Sequence, residues 1–129
     1  MRKYAIVILS LYGAYFYVSR YVKFDEPLAY AKKNPKAAWA PAADYYIGMA
    51  YYQRSEYPKA QEAFTQLLTD YPTCQYVPRS LVMVSDAAEY NQDYEGAKVF
   101  LARYIEEYPD EKDIGVVRKR LELLKYHHP

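Results

Sequence analysis

Residues 44–72 read DYYIGMAYYQRSEYPKAQEAFTQLLTDYP, and this stretch decides the fold. An apolar residue and a glycine, Ile47-Gly48, are followed by Tyr51, then Ala60, Phe64 and Pro72. Gly48 and Ala60 are small, so two antiparallel helices can approach closely there. Ile47, Tyr51, Phe64 and Leu67 are the side chains that fill the space between them. Pro72 cannot continue the second helix, because it lacks an N–H and its ring clashes with the preceding turn. The stretch therefore predicts a helical hairpin.

Working outward, the same pattern returns. Pro35, Pro72 and Pro109 are 37 residues apart, Pro41 and Pro78 share that spacing, and Gly115 falls at the third equivalent place. Tyr57 and Tyr94, and Ala60 and Ala97, obey the same period. In the second copy Ser85 replaces Gly48, Ala88 replaces Tyr51 and Leu101 replaces Phe64. The period predicts helices over 41–54, 57–71, 78–91 and 94–108. Residues 25–34 form a truncated leading helix, with Asp25 as its cap and Asn34-Pro35 as its stop. Residues 113–126 form a last helix. It buries Ile114, Val117, Leu121 and Leu124 on one stripe and shows Arg118, Lys119, Arg120 and Glu122 outside. A terminal unit needs such a polar outer face. The expected fold is all-α: a helical solenoid of about 2.5–3 repeats.

The chain has 129 residues, room for one repeat domain over 24–129 behind an N-terminal segment, 1–23. Apolar residues make up 52% of it, enough for a packed core, and 18 residues are tyrosine, which suits interfaces as well as cores. The net charge is +1, with no basic footprint for nucleic acid. The single cysteine, Cys74, falls in an expected loop, so no internal disulfide forms.

Residues 4–19, YAIVILSLYGAYFYVS, are uncharged and flanked by Arg2-Lys3 and by Arg20 and Lys23. A helix of that length spans roughly 24 Å. Tyr4, Tyr17 and Tyr21 sit where interfacial aromatics belong. The expectation is an uncleaved transmembrane anchor. A cleaved secretory signal and an apolar helix buried against a partner are the alternatives. No cysteine closely follows the run, which argues against a lipidated N-terminus.

No catalytic residues, metal ligands or cofactor are expected, and no small-molecule substrate. The four glycines are scattered at 13, 48, 96 and 115 and cradle no phosphate. His127 and His128 sit at the end of the sequence and read as a frayed tail. The carboxylates at 106–107 and 110–111 read as a solvated helix end.

The spacing Ile47-Gly48, Tyr51, Ala60, Phe64 and Pro72 resembles the tetratricopeptide repeat, over residues 25–126. Ser85, Ala97, Leu101 and Pro109 match the same structural positions in the second copy. Glu56-Tyr57, Tyr71-Pro72 and Tyr76 are similar to the bacterial envelope branch, which includes outer-membrane assembly lipoproteins of the BamD type. The resemblance implies a groove lined by the first helix of each repeat. It places Tyr45, Met49, Tyr52 and Gln53 there in the first repeat, and Arg79, Val82, Asp86, Glu89 and Tyr90 in the second. Tyr45 and Met49 stand where a carboxylate clamp would need Lys, Arg or Asn. An aromatic, Met-containing groove suits an apolar helix or extended segment.

The implied function is a non-enzymatic scaffold, an accessory subunit of a membrane complex. Its partners would be protein subunits and, through 4–19, the membrane, with the repeat domain on the periplasmic side. The alternatives are a periplasmic peptide-binding or chaperone-like adaptor and an accessory domain of an enzyme.

Overall fold

A computed structural model describes residues 2–21, 25–33 and 36–129. Among the described residues there are seven helices and no strand: α1 (Arg2–Tyr21), α2 (Asp25–Lys33), α3 (Ala40–Gln53), α4 (Tyr57–Asp70), α5 (Val77–Tyr90), α6 (Tyr94–Glu107) and α7 (Ile114–His127). The expected stop at Asn34-Pro35 lies outside the described residues, as does Lys23. Asp25 is the first residue of α2 rather than a cap before it.

From α2 onward each helix packs on the next, and α3 also touches α5. The period is kept without drift: α3, α5 and α7 begin at residues 40, 77 and 114, and α4 and α6 at 57 and 94. Prolines in the first turn start α3, α4 and α5, where the missing N–H costs nothing. In α6 that role passes to Asp93, whose carboxylate accepts from the Gly96 N–H at 3.0 Å. Asp93 also accepts from Gln61 Nε2, and Gln61 Oε1 accepts from Asn91 Nδ2, both at 2.8 Å. These two bonds tie α4 to the turn between α5 and α6.

Both hairpin turns close in the same way. Ser55 and Gln92 have φ of 61° and 62°, the left-handed region. In the first turn the Glu56 N–H reaches the Tyr51 carbonyl at 3.0 Å, and in the second the Asp93 N–H reaches that of Ala88 at 2.8 Å. The Ser55 and Gln92 N–H groups each bond a carbonyl three residues back at 3.0 Å. This is the Schellman arrangement, which satisfies carbonyls a helix end would leave open.

The core runs along the stack, with Tyr51, Phe64, Leu67, Val77, Leu81, Val84 and Leu101 fully buried. Ile47, Gly48, Ala60, Ser85 and Ala97 are buried with them, at the hairpin positions expected of them. The Ser85 hydroxyl is satisfied by the Val82 carbonyl at 2.7 Å. Pro72 and Pro109 are exposed just past α4 and α6.

Three expectations need correcting. First, α1 is 20 residues long, yet among the described residues no helix is long and apolar enough to cross a membrane. Tyr4, Tyr12, Tyr15 and Tyr17, with Ser10 and Gly13, dilute the aliphatic side chains, and Arg2 and Lys3 lie within the helix itself. The transmembrane reading is therefore withdrawn. Second, Arg120 does not sit outside: it is half-buried and reaches back to α5. Third, the C-terminal histidines do not form a loose tail. Helix α7 runs through His127, and the His128 ring stacks on Tyr94 at 3.5 Å between centroids.

Candidate functional site

The first helices of the repeats, α3 and α5, are in contact and carry the residues expected to line a groove. Tyr45, Met49, Tyr52 and Val82 are half-buried and pack against the core. Gln53, Arg79 and Tyr90 are exposed. Asp86 and Glu89 are half-buried.

The tyrosines gather into two clusters. Tyr45 stacks on Tyr76 at 4.8 Å and meets Tyr46 edge-on at 5.1 Å and Phe64 at 6.2 Å. Tyr90 stacks on Tyr57 at 4.3 Å, and Tyr52 meets both edge-on, at 5.5 and 6.4 Å. Tyr46 and Tyr90 are each 62% exposed, so each cluster offers one open ring. Burial pushes the Tyr52 phenol above its usual range, and the Asp86 carboxylate adds to the shift.

Asp86 and Glu89 are not free to meet a partner as bare carboxylates, because the Arg120 guanidinium pairs with both. Burial raises the Asp86 carboxyl against the opposing pull of Arg120. For Arg120, burial works to lower its affinity for the proton, but the two carboxylates outweigh it. The last helix is thus clamped to α5 by charge, while it buries Val117, Leu121 and Leu124 and packs on α6. A second polar tie joins it to α6, where the Tyr104 hydroxyl donates to Asp113.

Helix α1 reaches α3 through the Tyr15 hydroxyl, which donates to Gln53 Oε1 at 2.8 Å. Its Tyr4, Ile6, Ile8, Leu9, Leu11 and Tyr12 remain 64–76% exposed. Sequence reasoning did not assign Tyr46, Tyr57, Tyr76 or Arg120 to the site. The period could have found Tyr76, since Trp39 stands 37 residues before it, each two residues ahead of a helix-starting proline. Among the described residues no group of three His, Cys, Asp or Glu could hold a metal ion.

Helical hairpins stacked at a fixed 37-residue period define a tetratricopeptide-type domain. Residues 37–118 match the family described as outer membrane lipoprotein, YfiO; this is more than half of the chain, and the chain belongs to that family. No curated protein matches it significantly.

Proposed function

We propose that this chain is a non-enzymatic interaction scaffold, an accessory subunit of a membrane-associated complex of the bacterial envelope. The observation that carries this reading is the overlap of the outer-membrane-lipoprotein match, 37–118, with the helices that build the aromatic face. A repeat of helical hairpins presents an extended surface rather than a reaction centre. Tyrosines there give large contact area at low conformational cost. On this reading α1 lies in the membrane interface rather than across it. Its exposed Ile6, Ile8, Leu9 and Leu11 supply apolar contact, and its tyrosines are side chains that favour the headgroup region. The repeat domain then stands at the membrane surface, on the periplasmic side.

The test is extraction of native membranes in mild detergent, followed by affinity isolation of the tagged full chain. Stoichiometric recovery of other membrane-complex subunits is expected. A chain that comes out free, or with substoichiometric and changing clients, would replace the scaffold reading with a transient peptide-binding adaptor. Vesicle flotation tests α1 separately: removal of residues 2–21 should abolish binding to vesicles containing anionic lipid. Protection from protease added on the cytoplasmic side tests the orientation.

A further inference from the structure

The three junctions that lead into α3, α5 and α7 have one backbone and different side chains. The residues before these helices are Trp39, Tyr76 and Asp113, with φ of −84°, −87° and −94°. The turn bond recurs at each: Ala40 N–H to Ala37 O, Val77 N–H to Cys74 O and Ile114 N–H to Glu111 O, at 3.1, 3.2 and 3.1 Å.

At the first junction the Trp39 ring stacks on Tyr30 at 5.6 Å. At the second the Tyr76 ring stacks on Tyr45 at 4.8 Å. At the third no ring pair forms: Tyr104, larger than the Leu67 it corresponds to, instead donates its hydroxyl to Asp113. Asp113 holds the place of Tyr76, and Val82 holds the place of Tyr45. Both replacements are smaller, and although Tyr104 fills part of the space, a cleft of about 320 Å³ remains, lined by Pro78, Arg79, Val82, Tyr104, Lys112 and Asp113. A cavity of about 150 Å³ already admits a benzene ring, so the space suffices for an aromatic side chain.

We infer that this cleft receives an aromatic side chain, Tyr or Phe, from a segment of a partner protein, in the place that the Tyr76 ring fills in the first repeat. The inference rests on the scaffold reading and names one point of contact within it. Pro78, Val82 and the Tyr104 ring supply apolar walls. Asp113 is already engaged by the Tyr104 hydroxyl, so it does not stand as a bare charge against the guest. Arg79 and Lys112 are exposed at the rim, where a cation can lie over the face of a bound ring. Glu111, also on the rim, keeps the mouth near neutral and so favours a neutral ring over a charged group.

The experiment uses the purified full chain and no natural partner, so its failure leaves the scaffold reading untouched. N-acetyl-tyrosinamide is titrated into isotope-labelled protein, with N-acetyl-alaninamide as control, and amide shifts are followed by NMR. The expected result is saturable shifts confined to Arg79, Val82, Tyr104 and Lys112 with the tyrosine probe alone. The double variant Val82→Tyr, Asp113→Tyr rebuilds the first-repeat pair and should bind at least tenfold more weakly. If it does not fold, Asp113→Tyr alone serves. Absent shifts, shifts spread over Tyr46 and Tyr90, or equal binding by the filled variant would overturn the assignment. Self-association of the wild-type chain that the filled variant abolishes would also overturn it, in favour of a second copy as the occupant.

Discussion

The Phe64 ring lies against the α-carbon of Gly48. A β-carbon built on that glycine would meet three ring carbons at 2.8–2.9 Å, closer than non-bonded carbons pack. Both residues are buried, so neither can step aside into solvent. Gly48→Leu should therefore cost on the order of 1–3 kcal/mol by overpacking, despite the better helix propensity of leucine. The second repeat solves the same contact with Ser85 and Leu101. The pair Gly48→Ser, Phe64→Leu should accordingly lose less than the sum of its single changes. Urea denaturation of the four proteins measures this, and strict additivity would disprove the contact.

Asp44 is a carboxylate at 1% exposure, bonded to Gln66 Nε2 at 3.0 Å. Burial lifts its carboxyl from 3.8 to about 6; the Gln66 bond opposes the shift and Asp70 adds to it. The folded value is the higher one, so the folded state holds the proton better than the unfolded. Its stabilising contribution is full below about pH 4 and is lost as the pH rises through about 6. Asp44→Asn, which mimics the protonated form, should match wild type near pH 4 and exceed it by roughly 2–3 kcal/mol above pH 6. A stability difference that does not change with pH would refute this.

Ser55 and Gln92 pay for their left-handed backbone with a β-carbon that crowds the chain. Glycine removes that crowding, while its greater freedom in the unfolded chain offsets part of the gain. Ser55→Gly and Gln92→Gly should each stabilise by about 0.5–1 kcal/mol. Thermal melts check the sign, and destabilisation by both would contradict the turn geometry.

Arg120→Ala should loosen the last helix. It leaves Asp86 and Glu89 facing each other without their shared cation. A cost of about 1–3 kcal/mol follows from the loss of half-buried charged hydrogen bonds. Hydrogen exchange should quicken in α7 before it quickens in α3 or α4. Uniform quickening across the stack would argue against a local clamp.

Much of the architecture was legible because it repeats. Gly48, Ala60 and Phe64 are core residues for steric reasons that sequence states directly, and α3 through α7 begin and end within about one residue of the expected places. The turns were less legible, since Ser55 and Gln92 give none of the glycine signal that marks a left-handed cap. Arg120 flanks the apolar stripe of α7 rather than opposing it, so a long side chain could turn inward toward α5. The nature of α1 was misjudged because the absence of charge was weighed over the tyrosine content. Of the candidate site, the tyrosines were visible as residue types. Their pairing was not, because Tyr52, Tyr57 and Tyr90 come from three different helices.

The undrifting register has a consequence for how such a molecule can change length. Residues 57–93 begin at the first residue of α4 and end at the cap before α6. A tandem copy of that segment would join Asp93 to Tyr57 where Asp93 now joins Tyr94, the same cap followed by the same residue type. Each added copy would repeat the α4–α5 packing but pair α5 with a second α4, so that Ser85 would meet Phe64 where Gly48 meets it now. The protein is in that sense a ruler, whose span can be reset in whole increments once that single contact is refitted by Leu in place of the copied Phe64, as Leu101 already does opposite Ser85.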